Sequence, residues 1–543
     1  MTVLPPGVSA RTFAAAVNAF KGIVGDQWVF TSDDDVFTYR DPYSILWDTD
    51  EERVPSGAVA PASVEQVQQV VRAANKYKVP LYPISTGRNL SYGGSAPNQR
   101  GSMVLDLKRM NKIIKVDDYR NFCLVEPGVT YFDLYNYVQD NKLDVWVDLP
   151  DPGWGSPIGN ALDHGIGYQF AAYRDHFGAH CGMEVVLPNG ELVRTGMGAL
   201  PGSDTWQDFK YGTGPMVDGL FAQGNFGIVT KMGFHMMPAP EAFLGGMMYV
   251  PKHADIVHLV KVVNALEDQG LIGMPVWSSP VRNASFRNGV PDPDLVKLMA
   301  DGWPSVERIE EYVAKKGVPA YGVRLQLYGP RKTIEGTWEY AQRKLKALVP
   351  GATFEEIARE DMPPSQELVD KLGHHYFGVP SLAIFSMVSR NEQNAANPPD
   401  GHNNNAAILP RTGEALMNFG KCVMEAYQSV GEKQTVSPFT TPITWHPRVF
   451  FAGPGVRISR EDKEHNKRQR EIYHALVNKF AEYGYVDYRT SPTYQDLIVS
   501  KYSFNNHSLR RLHETIKDAV DPNGIISPGR YGIYPKSQRT NRV

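Results

Sequence analysis

The chain is short of cysteine: among 543 residues only Cys123, Cys181 and Cys422 occur, too few and too far apart for a disulfide framework or a cysteine-rich zinc site. A reducing compartment fits that count. Charge of one sign is also missing, since 59 acidic residues against 56 basic ones leave a net charge of −3, which removes the electrostatic case for nucleic acid. Long apolar runs are absent as well. No stretch approaches the ~18 residues needed to span a bilayer, and Pro5, Pro6, Gly7 and Ser9 interrupt the first twenty residues before a signal-peptide core could build. The expectation is a soluble, cytoplasmic protein, with a peroxisomal address left open because Asn541-Arg542-Val543 matches no signal with a physical rationale. No internal repeat is visible.

What is present is enough chain for more than one core, because a single core stops growing near ~250 to 300 residues. Ser63 can cap a helix with Gln66 three residues on, and Val64, Val67, Val70, Val71 and Ala74 fall on one face of it. A short apolar strand, 79–85, follows, then the glycine-rich loop 86–94 and a second strand at 102–107. Further strands at 123–127 and 183–187 run into the turns Pro127-Gly128 and Pro188-Asn189-Gly190. Helices and strands are mixed rather than strictly alternating, which predicts an α+β fold. After about Pro238 the texture changes to longer helical patterns around a strand at 321–328, predicting a second domain. The polar stretch 391–405 buries too little apolar surface to order itself and reads as a loop, pinned by its surroundings or mobile, and 461–480 as a helix with one solvated basic face.

Glycine recurs where chemistry could use bare backbone. Gly87, Gly93 and Gly94 expose N–H groups in a concave nest suited to a pyrophosphate, although a plain hairpin explains them equally well. This is neither the Gly-x-Gly-x-x-Gly dinucleotide motif nor a Gly-Lys-Ser/Thr phosphate loop. A second dense region spans 151–168, a third 224–230, and Pro528-Gly529-Arg530 closes a turn near the C-terminus. Together they could converge on one extended ligand.

The runs PISTGRNLSYGGSAP (83–97), LVEPGVTYFDLYNYV (124–138), GMEVVLPNGELVRTGMGALPGS (182–203), GIVTKMGF (227–234) and AVDPNGIISPGRYGI (519–533) resemble the flavoprotein family of vanillyl-alcohol oxidase, eugenol oxidase and the flavin subunit of p-cresol methylhydroxylase. The resemblance covers nearly the whole chain and is strongest in 56–240 and 486–534. It implies an FAD-binding domain split between 1–240 and 487–543, with a cap domain at 241–486 that supplies the substrate pocket. It places the pyrophosphate against Pro83, Ile84, Ser85, Thr86, Gly87, Arg88 and Asn89, and the flavin edge against Ser156, Gly159, Asn160, Gly227, Ile228 and Val229. Arg530 falls on the family's basic position, where a cation stabilises negative charge on the reduced flavin.

Family members that oxidise para-alkylphenols hold a phenolate with two tyrosines and an arginine, which fall here on Tyr92, Tyr488 and Arg489. A phenol of pKa near ~10 ionises at neutral pH only if fixed donors and a positive charge favour the anion. Asp151 matches a carboxylate beside the reactive part of the flavin, Tyr168 a pocket-wall position, and His402 a histidine bonded covalently to the flavin ring methyl. Asp175-His176 matches a fold marker. His176 with His180, and the pair His374 and His375, lack the carboxylate or thiol pattern of a metal site, and no metal is expected.

The implied reaction is benzylic oxidation of a para-substituted phenol by hydride transfer to FAD through a quinone methide, with dioxygen reoxidising the flavin and releasing hydrogen peroxide. A cytochrome acceptor stays open, and a homodimer is implied. The alternatives are the same fold acting on a non-phenolic alcohol or hydroxy acid, and a flavin-holding protein without turnover. Two stretches depart from the family pattern: Gln169 to Arg174 stands where relatives have Thr-Pro-Tyr-Gly, and Ile443 to Arg448 where they have an Arg-x-Met-His-His strand. Both should border the cavity, so substrate identity carries over less directly than the cofactor.

Overall fold

The computed structural model describes residues 3–384, 400–433 and 436–539. The reading of 391–399 as loop and of the last three residues as a tail without an address lies outside them.

Ser63 caps the helix Val64–Tyr77 by accepting from the Gln66 N–H, and the five residues expected on its apolar face are buried. That helix packs beside a four-stranded sheet in the order Val29–Phe30, Gly57–Val59, Met103–Asp106, Leu81–Ile84, whose last three strands are parallel. A five-stranded antiparallel sheet follows, ordered Ile113–Asp117, Phe122–Val125, Ile228–His235, His180–Val186, Leu192–Arg194. The third large sheet is antiparallel too, ordered Val276–Ser278, Tyr321–Gly329, Ala242–Val250, Thr353–Asp361. Strands joined by long helical crossovers in one sheet and by antiparallel ladders in the others make the fold α+β.

The C-terminal turn belongs to the first sheet. The Leu81 N–H donates to the Ile525 carbonyl and the Ser527 N–H to that of Leu81, so the tail extends the edge of the Leu81–Ile84 strand. Asp521 shapes the approach by accepting from the Ile525 and Ile526 N–H groups and from the buried ammonium of Lys517. Ile525 and Ile526 then join the core of the first sheet with Val67, Val71 and Leu105. A separate apolar cluster surrounds the third sheet and runs from Ala242 to Ile498, taking in Ile45 and Leu46 from the N-terminal part.

One expectation needs correction. The described part of the polar stretch 391–405 is ordered: Asp400–Asn404 is a strand paired with Gly455–Ser459. Asn403 and Asn405 are buried, and the Asn405 amide N–H bonds the Pro454 carbonyl while Asn403 donates to the Ser91 carbonyl. Low apolar content did not prevent order because pairing with Gly455–Ser459 satisfies the main chain and Asn403 adds a side-chain bond to the Ser91 carbonyl.

Candidate functional site: a glycine-walled cavity with a buried charge cluster

The loops singled out by their glycines meet around one cavity of about 470 Å³. Pro83 to Asn89 form one side of it, Ser156, Gly159 and Asn160 another, and Gly227 to Val229 a third. Close approach explains the glycines. Gly87 has φ +68° and a Cβ there would strike the Ser95 hydroxyl; at Gly159 it would strike that of Ser85; at Gly227 it would come within 2.6 Å of Val185. Ser156 caps the turn entering Pro157–Leu162 and donates its hydroxyl to the Pro127 carbonyl at 2.7 Å. Arg88 lines the same cavity with its guanidinium over the Trp154 ring, 4.8 Å from the centroid, and forms no ion pair among the described residues. Burial lowers its pKa. A long cavity walled by bare backbone and guanidinium groups fits a dinucleotide with a pyrophosphate in its middle.

At one end lies a charge cluster centred on a residue the sequence reading missed. Asp163, immediately after Pro157–Leu162, is buried and accepts from Arg489 Nε at 2.8 Å, from Arg530 Nη2 at 2.8 Å and from the Asn89 amide at 2.6 Å. Burial pushes the Asp163 carboxyl up, but the two arginines and Asn89 outweigh it and hold the pKa below its ordinary value. Burial likewise opposes the charges of Arg489 and Arg530, and Asp163 with the surrounding tyrosines more than compensates, so both stay cationic. The two arginines share the Asp163 carboxylate, and a second buried carboxylate, Asp487, accepts from the Arg489 backbone N–H at 2.8 Å, with burial raising its pKa to about 7. Arg530 also donates to the Tyr82 hydroxyl at 2.9 Å. Arg489 Nη2 donates to Asn89 at 2.6 Å, and its Nη1 takes no hydrogen-bond partner among the described residues. Asp163 lies inside the glycine-dense region 151–168 but carries no motif; only its place at a helix end beside two loops rich in functional residues could have flagged it.

Tyr92 and Arg489 are brought together, with the guanidinium 4.1 Å from the centroid of the tyrosine ring. Burial raises the Tyr92 pKa to about 12 against the pull of Arg489, so it remains a neutral donor. Tyr488 is placed differently. Its hydroxyl donates to the His164 carbonyl at 3.4 Å and its ring meets that of His446 edge-on at 5.0 Å; it does not line the cavity with the other two. Burial first, with Arg489 opposing, raises its pKa as well.

Asp151 lines the cavity, and Tyr168, just behind the wall, donates its hydroxyl to Asp151 Oδ1 at 2.5 Å. Burial raises the Asp151 pKa while that hydrogen bond lowers it, with a net rise. His402 reaches the wall from the strand Asp400–Asn404. Its Nε2 lies 2.7 Å from the Ser91 hydroxyl and its Nδ1 is buried without a partner among the described residues. Burial, then Arg457, lowers its pKa to about 4, so the imidazole is neutral at physiological pH. His176 and His180 lie elsewhere, the first on Asn160 and Tyr131 and the second on Asp218. Among the described residues no group of three or more His, Cys, Asp or Glu side chains is arranged to hold a metal ion, and no helix is long and apolar enough to cross a membrane.

Residues 55–196 match the family model of an FAD binding domain. Over 549 aligned residues the chain is 34% identical to the flavoprotein subunit of 4-cresol dehydrogenase (hydroxylating) of Pseudomonas putida, covering 98% of each chain. Two solved structures are similar throughout. Substrate-bound p-cresol methylhydroxylase has a TM-score of 0.78 and 33% identity, with 98% of this chain and 99% of that one covered. The isoeugenol complex of 4-ethylphenol oxidase from Gulosibacter chungangensis has a TM-score of 0.78 and 32% identity over the same shares. Identity at that level along the entire length, with the loops closing on one cavity, carries more than the fold: the chain belongs to the p-cresol methylhydroxylase and vanillyl-alcohol oxidase type of flavoproteins, and is a two-domain FAD-dependent oxidoreductase.

Proposed function

We propose that this enzyme oxidises a para-substituted phenol at its benzylic carbon. The observation that carries the reading is the guanidinium beside Tyr92: Arg489 shares Asp163 with Arg530, and its Nη1 takes no hydrogen-bond partner among the described residues. A phenol must fall from a pKa near ~10 to below neutrality, about 4 kcal/mol at ~1.4 kcal/mol per unit. A fixed, largely buried guanidinium and a neutral tyrosine donor supply an effect of that size. Tyr488, one position before Arg489, completes the phenolate clamp of this reading once its hydroxyl exchanges the long contact to His164 for the substrate.

When bound, FAD supplies a two-electron acceptor for the hydride that leaves the benzylic carbon. The substrate becomes a para-quinone methide, its charge released from the Arg489 and Tyr92 end. Asp151 Oδ1 is engaged by Tyr168, so Oδ2 takes the proton of a water adding to the quinone methide, and the raised pKa suits a carboxylate that accepts and returns protons. Arg530 would counter negative charge on a bound reduced flavin. The loop Pro83 to Asn89 would hold the pyrophosphate, and Ser156 to Asn160 with Gly227 to Val229 would meet the flavin edge. His402, neutral and on the wall, is the residue for covalent attachment.

The same reading assigns FAD binding to 1–240 and 487–543 and the cap to 241–486, and it includes a homodimer; the apolar cluster around the third sheet supports the cap and extends across the boundary to Ile45, Leu46, Tyr494 and Ile498. Dioxygen is the proposed electron acceptor, supported by the likeness to 4-ethylphenol oxidase. Aerobic incubation with 4-ethylphenol should consume substrate and dioxygen in equal amounts and yield hydrogen peroxide. Turnover that needs an added cytochrome would overturn the acceptor, and turnover of hydroxy acids alone would overturn the substrate class. A denatured wild-type gel band should stay yellow-fluorescent under acid, and that of His402→Ala should not.

A further inference from the structure

Both stretches that depart from the family pattern end at the same contact. Arg174 closes the Gln169 to Arg174 stretch and its side chain is fully buried. Its Nε donates to the Trp445 carbonyl at 2.8 Å, its Nη1 to the Gln169 carbonyl at 3.3 Å, and its Nη2 pairs with Glu267. Glu267, also buried, pairs through its other oxygen with Arg411, and Arg411 with Asp268 at 2.7 Å. The Arg174 guanidinium is thus clamped by a carboxylate of the helix Ile256–Asp268, and its remaining donors go to the backbone carbonyls of Gln169 and Trp445. A buried ion pair of this kind rarely adds stability over apolar packing, and its best-attested use is to fix an arrangement.

The residue it fixes lines the cavity. Trp445 stands on the wall with Ile443 and Phe451. Its ring lies on that of Phe451, centroids 4.3 Å apart, and paired Ile443 and Phe451 amides close the hairpin beneath it. The preceding Thr444 is fully buried and accepts from the Trp277 indole. The Trp445 side chain packs against the apolar cluster that contains Tyr168, whose hydroxyl is bonded to Asp151. Trp445 therefore occupies the part of the wall beside Asp151, which on the phenol reading faces the para substituent.

We propose that Arg174 is a positioning residue that holds Trp445 against the Asp151 end of the cavity and thereby limits the size of the para substituent the enzyme accepts. The inference rests on the phenol reading. Loss of the guanidinium frees the Trp445 backbone to retreat, and loss of the indole removes the obstruction outright.

The test uses FAD-loaded enzyme and phenols without a benzylic hydrogen, so that binding is read without turnover: 4-fluoro-, 4-bromo- and 4-tert-butylphenol, titrated by the change in flavin absorbance. In wild type the dissociation constant should rise steeply with substituent size. Trp445→Ala should reduce the ratio between 4-tert-butylphenol and 4-fluorophenol by at least about tenfold, the scale on which a pocket discriminates by a methyl or two. Arg174→Met should shift it in the same direction, and the double variant should go no further than Trp445→Ala alone. If Arg174→Met does not fold, Glu267→Gln, which loosens the clamp while keeping its shape, should give the same shift. Phenols that bind every form with the wild-type size dependence would overturn the inference and leave the phenol reading standing. No binding of any phenol to wild type would overturn both.

Discussion

Along Pro83 to Asn89, Ser156 to Asn160 and Gly227 to Val229 the cavity meets backbone, with glycines at the points where a Cβ would collide; along His402, Ile443, Trp445 and Phe451 it meets side chains. A wall of backbone fits one ligand shape and tolerates little change, because each glycine is required by a neighbour at contact distance. A wall of side chains can be re-cut by substitution without moving the chain. The first suits a cofactor common to a family and the second a substrate particular to one enzyme.

The charge cluster joins the two, so its removal should have the largest effect. Asp163→Ala leaves two buried guanidinium groups facing each other, a change of the kind that costs about 3 to 5 kcal/mol. A fall of that order in the unfolding free energy from urea titration, with FAD lost at lower urea than from wild type, is expected; a stability within ~0.5 kcal/mol of wild type would show that Asp163 does not hold the cluster. Arg489→Ala removes the cation nearest Tyr92 and keeps Arg530 on Asp163. The rate of flavin reduction by phenols should fall roughly 10²- to 10³-fold, as for the loss of one preorganised charge-stabilising donor, with FAD still bound. Stopped-flow absorbance decides it, and an unchanged rate would detach Arg489 from the substrate.

A smaller effect concerns the support behind the backbone wall. Asp41 is buried next to Gly94, and burial, opposed by the Tyr43 N–H, raises its pKa to about 7. Its unfolded value is about 3.9. Between these values the folded protein keeps a proton that the unfolded chain has released, so this group's contribution to stability falls as pH rises, by up to about 1.4 kcal/mol per unit. The neutral histidines, His402 among them, act in the opposite sense below their unfolded pKa of ~6.5. The clean quantity is therefore the difference between wild type and Asp41→Asn, which should move in favour of the variant from pH 5 to pH 7; parallel stability profiles would place the Asp41 carboxylate ionised throughout.

How much was legible follows the same division. Periodicity marked Val64 to Ala74 because a one-sided apolar face leaves a pattern in any sequence, and the short apolar run 79–85 marked the strand found at Leu81–Ile84. The glycine loops were readable because positive φ and close approach select glycine. Asp163 was invisible: a carboxylate that bridges arginines 326 and 367 residues away in sequence leaves no local trace. The order of Asp400–Asn404 was hidden for a similar reason, since its partner strand Gly455–Ser459 and the Ser91 carbonyl are distant in the chain. Arg174 and Trp445 stood out as departures from a pattern, but that they touch only the fold could show.

The central claim is that the enzyme acts on an ionised phenol. Anaerobic mixing of the FAD-loaded enzyme with 4-ethylphenol and, separately, with its methyl ether 4-ethylanisole tests it most directly, because the two share a benzylic carbon and differ in the proton that can be lost. Rapid bleaching of the flavin by the phenol, with the ether at least about 10²-fold slower, is the expected result; bleaching by both at similar rates, or by neither, would contradict the account.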